Sequence, residues 1–206
     1  MFKHKQQAHP YKAKQRSVMS MTNYFGQNAT DCGEEYEYMC ALASLSKAQL
    51  ILGLKVVTPQ ALLDKAYQMK LLRAPMLGTP PDILVAISCT VQPAIITNDL
   101  DVESLQKGDV LYVSGVALLN VGLADSFQFE LPDTDSHVVA VESIDVHSRQ
   151  VTIINPDRRK AGRSGFMIGV CGRFVLTAKQ LDSVWNSTRS DGIKTSRCMI
   201  RWIVEA

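Results

Sequence analysis

The sequence lacks the features that mark membrane, zinc-binding and nucleotide-binding proteins. It contains no uninterrupted apolar run of about eighteen residues and no apolar N-terminal segment before a cleavage site, so we expect neither a membrane span nor a cleaved export signal. No two of its five cysteines form a C-x-x-C pair, and its glycines are too scattered for a phosphate-binding loop. We therefore expect no metal and no cofactor.

Acidic side chains are absent from the first 16 residues, which contain five basic ones: Lys3, Lys5, Lys12, Lys14 and Arg16. Since the net charge of the whole chain is +2, the remainder is mildly acidic. This disfavours a nucleic-acid-binding fold, in which the basic face belongs to the folded domain. We expect residues 1–20 to form a flexible basic arm, with weak phosphate contact as the alternative, and residues 21–206 to form one domain.

The five cysteines are Cys32, Cys40, Cys89, Cys171 and Cys198. An odd number leaves at least one thiol outside any intramolecular disulfide, and the lack of paired spacing favours a reducing compartment. We therefore expect a cytoplasmic protein, or one secreted or delivered by a route without a cleaved signal peptide. The sequence leaves the oligomeric state open.

Helices are predicted throughout the first half of the chain. A proline-free stretch from Gly33 to about Leu52 has acids near its start and apolar residues at helical spacing. Thr58-Pro59 begins a second helix that continues towards Leu72, and Thr79-Pro80-Pro81 begins a third, shorter one.

Strands are predicted in the second half, at residues 110–113, 137–141, 151–154, 173–176 and 199–204, where β-branched and aromatic residues cluster. The segment from His137 to Asn155, interrupted at residues 145–149, indicates a β-hairpin. Strands joined by so short a connection pair antiparallel. Loops are predicted from Asn120 to Ser136 and from Trp185 to Gly192. A helical half followed by an antiparallel sheet is an α+β fold.

Cys32 has the setting expected of a reactive thiol. It directly precedes the predicted first helix, where unpaired backbone N–H groups and the positive end of the helix dipole favour a thiolate. The other four cysteines fit small buried apolar residues better. Cys32 is therefore the candidate nucleophile.

His137 is the candidate general base among the four histidines. Two of the others belong to the basic arm, and His147 falls at the tip of the predicted hairpin, where we expect it to be exposed. A base that serves a thiol needs a third group to orient its ring. The hairpin makes Asn155 a cross-strand neighbour of His137, and Asp157, just beyond the strand, is the second choice.

Several short motifs, taken in order, resemble the papain-like cysteine peptidases. They are Gln27, Asp31-Cys32-Gly33 at the start of a helix, His137-Val-Val-Ala-Val and Asn155-Pro156. The sequence is most similar to the bacteriocin leader-peptidase group, the peptidase C-thirty-nine-like proteins. The resemblance implies a papain-like fold in which Cys32 is the nucleophile and His137 the general base and acid. It also implies that Asn155 or Asp157 orients the imidazole and that Gln27 helps to form the oxyanion hole.

The sequence departs from the family pattern in two places. Gly33 is followed by the acids Glu34, Glu35 and Glu37 where the family has small residues, and carboxylates there oppose a nearby thiolate unless they face solvent. Asn155 stands where the most similar group has aspartate.

The resemblance implies hydrolysis of an amide bond, with a peptide or protein as the substrate and partner. The same residues would also serve a glutamine deamidase or transglutaminase of the bacterial toxin or effector kind. A catalytically inactive module that binds a peptide in the cleft is a further alternative. No specific nucleic-acid partner is expected.

Overall fold

The computed structural model describes residues 39–72, 79–121, 136–156, 172–188 and 192–204. The predicted basic arm lies outside these residues. Within them, helices and an antiparallel sheet are both present, which confirms the predicted α+β class. None of the described helices is long and apolar enough to cross a bilayer.

In the described residues three helices come first: α1 (Cys40–Ile51), α2 (Pro59–Gln68) and α3 (Pro81–Cys89). Residues 33–38, which form the predicted start of the first helix, lie outside the described part of the chain. Helix α2 begins as predicted, since Thr58 Oγ1 accepts a hydrogen bond from the Ala61 N–H at 3.2 Å and Pro59 occupies the first helical position.

Two helix boundaries differ from the prediction. Helix α2 ends at Gln68 instead of continuing towards Leu72, because Lys70 adopts a left-handed conformation with φ of 57° that a right-handed helix cannot continue. Helix α3 is preceded by Pro80 as its cap residue, whereas the hydroxyl of the predicted cap, Thr79, is buried and has no hydrogen-bond partner among the described residues.

From residue 94 onward, the part of the chain that the structure describes contains eight strands, two short helices and one 3₁₀ turn. In chain order they are β1 (Ala94–Thr97), the 3₁₀ turn (Val102–Ser104), β2 (Val110–Val113), α4 (Gly115–Asn120), β3 (His137–Asp145), β4 (Gln150–Asn155), β5 (Gly172–Thr177), α5 (Ala178–Val184), β6 (Asn186–Thr188), β7 (Lys194–Ser196) and β8 (Met199–Trp202). Six of the strands form one antiparallel sheet in the order β1-β8-β2-β3-β4-β5, and β6 pairs with β7 in a separate hairpin. The five predicted strands all lie in the larger sheet.

The predicted loop from Trp185 to Gly192 is wrong for residues 186–188, which form β6. Small polar side chains hide this strand in the sequence, whereas in the structure Ser187 is buried against Thr195 of β7. Strand β1 is also absent from the sequence prediction, because its four residues find their pairing partners only in β8, far along the chain.

The larger sheet buries apolar side chains on both faces. Val138 and Ala140 of β3 pack with helices α1, α2 and α3 on one face. Val139 and Val141 pack on the other face with Leu181 of α5. Successive residues of β3 therefore point alternately into two hydrophobic clusters, as the pleat of a strand requires.

A buried ion pair holds the turn that leads into β2. Asp109, whose side chain is 1% exposed, accepts hydrogen bonds from the Arg201 guanidinium at 2.7 and 2.8 Å and from the Gln106 N–H at 2.7 Å. Burial raises the pKa of the Asp109 carboxyl, although Arg201 and the Gln106 amide act in the opposite direction. The same turn is bonded to β3, since the Gly108 N–H donates to Val141 O and the Val141 N–H donates to Asp109 O.

Replacing Arg201 with leucine should destabilise the protein by about 3–5 kcal/mol at pH 7, because Asp109 becomes a buried charge without its cation. Loss of the cation raises the Asp109 pKa further, so the folded state binds a proton more readily than the unfolded state. The stability deficit relative to the parent protein should therefore shrink as the pH falls towards about 4. Urea unfolding at several pH values measures the deficit.

Arg173→Leu is the matched control for this variant, because Arg173 forms an equally bidentate pair with Glu142 but is 70% exposed. Loss of the Arg173–Glu142 pair should lower the free energy of unfolding much less, since exposed ion pairs contribute little to stability. Equal deficits in the two variants, or a deficit for Arg201→Leu that does not change with pH, would contradict the assignment.

Gly108→Ala should destabilise the protein more than Gly53→Ala. Both glycines have positive φ, of +86° and +70°, so alanine at either position costs about 1–2 kcal/mol of backbone strain. A Cβ at Gly108 would also lie 2.5 Å from Leu52 Cγ, whereas one at Gly53 would meet no atom within 4 Å. We expect a further loss of about 1–3 kcal/mol from overpacking at Gly108 alone. Denaturant unfolding of both variants tests the difference, and equal losses would disprove the contact with Leu52.

Candidate active site

His137 and Asn155 meet at the end of the larger sheet, where β3 begins and β4 ends. His137 Nε2 and Asn155 Oδ1 are 2.7 Å apart. The two residues are only 6% and 2% exposed. A hydrogen bond so well shielded from water is electrostatically strong and fixes the orientation of both side chains.

This contact determines which ring nitrogen of His137 carries the proton. An amide oxygen accepts hydrogen bonds and does not donate them, so Nε2 is the donor to Asn155 Oδ1. In the neutral ring, Nδ1 then has the lone pair and is the basic nitrogen. The arrangement leaves Nδ1 suited to accept a proton while the Nε2 hydrogen bond is retained.

A β-bulge shifts the pairing of β3 with β4 by one residue. Near the turn of the hairpin, Ser143 lies opposite Thr152, whereas further from it Val141 lies opposite Ile153. Glu142 is therefore the extra residue of β3.

The bulge brings His137 and Asn155 to the same face of the sheet. Beyond it Ile154 lies opposite Ala140, so Asn155 is in line with Val139, which shares a face with His137. Without the extra residue, Asn155 would be in line with Ala140 and would point away from the His137 face. The predicted cross-strand neighbours are thus diagonal neighbours, and are not directly opposed.

Helix α1 lies along β3 with its first turns at the His137 end. Ser44 Oγ, which is buried, donates to Val138 O at 2.9 Å, one residue after His137. Further along the helix, burial lowers the pKa of Lys47, and the nearby Glu142 carboxylate partly offsets this effect. Helix and strand therefore run in the same direction, and the chain enters α1 at the sheet end that holds the His137–Asn155 pair.

Cys32, Gln27 and Asp157 lie outside the described residues. Their roles as nucleophile, oxyanion-hole donor and alternative orienting group stay predictions. Asn155 is the third-group candidate that the structure brings into contact with His137.

The three cysteines among the described residues differ in exposure. Cys198 is buried, Cys40 is half-buried and Cys89 is exposed, and Cys171 lies outside the described residues. The prediction of a buried apolar role is therefore wrong for Cys89. Its position explains the difference, since it is the last residue of α3, where the helix reaches the surface.

His147 is exposed in the turn between β3 and β4, where its N–H donates to Asp145 Oδ1 at 2.9 Å. This agrees with its predicted place at the hairpin tip.

In the part of the chain that the structure describes, no group of three or more histidine, cysteine or acidic side chains is placed to hold a metal ion. An imidazole oriented by a buried hydrogen bond is suited to transfer protons.

Two sets of polar contacts beside His137 are not evident from the sequence. Ser44 is a small polar residue among apolar ones on a helix, and its bond to β3 depends on how the helix packs. The hydroxyls of Ser136 and Ser187 lie 3.3 Å apart, although 51 positions separate them in the chain. Sequence spacing carries no signal for contacts that only the tertiary fold creates.

Comparison with known proteins assigns no family to this chain. No protein-family model matches it, and no curated protein matches it either. The functional assignment therefore depends on the described geometry and on the sequence motifs.

The His137 ring should show a slowly exchanging Nε2–H proton in nuclear magnetic resonance spectra, because that proton is held in a buried hydrogen bond to Asn155. Asn155→Ala should abolish the signal by removing the acceptor. The exposed ring of His147 provides the internal control, since its N–H protons should exchange with water too fast to be seen. A His137 ring protonated at Nδ1 alone would contradict the described contact.

Proposed function

We propose that this protein is a papain-like thiol hydrolase that cleaves an amide bond, most simply a peptide bond. In this proposal Cys32 is the nucleophile, His137 is the general base and acid, and Asn155 orients the imidazole. The observation that carries the proposal is the buried 2.7 Å hydrogen bond between His137 Nε2 and Asn155 Oδ1. It supports a basic Nδ1, which is the atom that a thiol nucleophile needs beside it.

The first half of the proposed reaction forms a thioester. Nδ1 of His137 accepts the proton of the Cys32 thiol, and the thiolate sulfur attacks the carbonyl carbon of the amide. The resulting oxyanion accepts hydrogen bonds from the Cys32 N–H and the Gln27 side chain, each worth about 3 kcal/mol in sites of this kind. The carbon–nitrogen bond then breaks, and the leaving amine takes the proton from the imidazolium.

The second half releases the acyl group. Nδ1 of His137 accepts a proton from water as the water oxygen attacks the thioester carbonyl, and collapse of the intermediate returns the proton to the Cys32 sulfur. Asn155 stays hydrogen-bonded to Nε2–H throughout, so the ring keeps its tautomer and orientation in both proton transfers. The amide side chain thus acts on the imidazole and does not itself exchange protons.

The direction of helix α1 also supports the proposal. The helix enters the fold at the His137 end of the sheet, as its Ser44 contact with Val138 indicates. The segment that carries Cys32 and Gln27 directly precedes this helix in the sequence. That segment is therefore connected to the described fold at the end of the sheet where the oriented imidazole lies, with α1 packed on the Val138 face and His137 on the Val139 face.

Alkylation by a limiting amount of iodoacetamide tests the proposed pair of Cys32 and His137. At pH 6 Cys32 should react faster than the other cysteines, because the imidazole stabilises its thiolate. His137→Ala should slow this reaction at least about tenfold, and His147→Ala should leave it unchanged. Mass spectrometry of the digested protein measures labelling at each cysteine.

Equal effects of the two histidine substitutions would remove the basis of the proposal. Absence of preferential labelling at Cys32 in the parent protein would do the same and would favour a binding module without activity. For a protein substrate that is modified, chain cleavage supports hydrolysis of a peptide bond. A mass gain of about one dalton without cleavage would instead indicate deamidation of a glutamine side chain by the same residues.

A further inference from the structure

Three hydroxyl groups form a connected chain that ends beside His137. Ser187 Oγ of β6 lies 2.6 Å from Thr195 Oγ1 of β7 and 3.3 Å from Ser136 Oγ. Ser187 and Thr195 are 6% and 8% exposed, so the contact between them is shielded from water, whereas Ser136 is exposed. Ser136 is the residue immediately before His137 in the chain.

With Ser187 Oγ–H as the donor to Ser136 Oγ, the Ser187 oxygen accepts the proton of Thr195 Oγ1 at 2.6 Å. The same Thr195 hydroxyl also lies 3.3 Å from Ser187 O, a longer contact with a second acceptor. Each hydroxyl in such a chain polarises the next, which strengthens the set beyond isolated pairs. The chain therefore holds the backbone just before β3 through its contact with Ser136.

The hairpin that supplies two of these hydroxyls is itself firmly attached to the core. Trp185, which precedes β6 and is fully buried, donates its indole N–H to Cys198 O at 3.0 Å. Its backbone oxygen accepts from the Arg197 N–H at 3.0 Å, and the Ser114 N–H donates to Val184 O at 2.9 Å. The hairpin of β6 and β7 is thus anchored at its base next to the end of β2.

The end of β2 is also the partner of His137, since Val113 lies opposite His137 in the sheet. His137, the first residue of β3, is consequently paired with Val113. The hairpin hydroxyls contact Ser136, the residue just before it. On the helix side, Ser44 binds the oxygen of the next residue, Val138. A shift of Ser136 would move the His137 backbone and with it the direction of the ring.

We propose that Ser187 and Thr195 are positioning residues for His137, acting through Ser136 to set the direction of its imidazole. This inference rests on the proposed function, because the ring direction matters only if Nδ1 serves a thiol. The two residues touch neither substrate nor nucleophile in this account. Their effect is on the proton-accepting competence of His137.

The test measures iodoacetamide alkylation of Cys32 in the full chain at pH 6 and at pH 9.5. Near pH 6 the thiolate depends on the imidazole, whereas above its ordinary pKa of about 8.5 a cysteine ionises without help. Ser187→Ala should therefore slow alkylation about fivefold at pH 6, the effect expected of losing one hydrogen bond, and leave the rate at pH 9.5 unchanged. A residue with a merely structural role would change both rates or neither.

Position 195 offers a matched pair of variants. Thr195→Val keeps the shape of the side chain but removes its hydroxyl, and it should slow the reaction at pH 6 as Ser187→Ala does. Thr195→Ser keeps the hydroxyl and should restore most of the parent rate. Ser183→Ala is the control for loss of a hydroxyl nearby, because Ser183 Oγ is exposed and bonds only within its own helix turn, to Gln180 O.

The outcomes separate this inference from the proposed function. If His137→Ala does not slow alkylation at pH 6, the proposed function fails. If His137→Ala slows it but neither Ser187→Ala nor Thr195→Val does, the positioning role is disproved and the proposed function stands. Should Ser187→Ala fail to fold, the comparison of Thr195→Val with Thr195→Ser decides alone, and equal rates for these two overturn the positioning role.

Discussion

The extra residue in strand β3 decides whether His137 and Asn155 can form their hydrogen bond. In an antiparallel pair, facing residues share a side of the sheet, so a shift of one position reverses the side on which each residue lies. The bulge at Glu142 makes this shift between the hairpin turn and the site. The apolar residues between the bulge and His137 would fill either face equally well, because all four are valine or alanine. The register shift at the bulge therefore matters more for the His137–Asn155 contact than for the packing of the core.

Backbone hydrogen bonds and a buried ion pair hold the residue next to the bulge. Val141, immediately before it, exchanges backbone hydrogen bonds with Gly108 and Asp109. Asp109 is in turn fixed by Arg201 of β8, and the absence of a side chain at Gly108 lets the turn approach Leu52 closely. The stability of this turn and the geometry of the candidate site are therefore physically linked. A defect in the turn acts on the site through the register of β3.

The sequence predicts much of the fold because its local signals are strong. Thr58 followed by Pro59 gives the start of α2, and β-branched runs give the five predicted strands, all of which lie in the larger sheet. The hairpin prediction brings His137 near Asn155, and the structure brings them into contact. The bulge escapes prediction because an unbroken run of apolar residues has no alternation from which a register could be read. Strand β1 is not predicted because its partner β8 lies far along the chain, and β6 is not predicted because its residues are small and polar.

The contacts around His137 explain how a site at the end of a strand is kept rigid. His137 pairs with Val113 of β2, whereas the pairing of β3 with β4 begins only at Ala140, so neighbours outside the ladder also position His137. Here the neighbours come from both faces, with Ser44 of α1 bound to Val138 and Ser187 of β6 bound to Ser136. Ser44 binds the main-chain oxygen of Val138 and Ser187 binds the side chain of Ser136, so both contacts act on the chain next to His137. The fold on either side therefore positions the main chain at His137, and the hydrogen bond to Asn155 fixes the orientation and the tautomer of the ring.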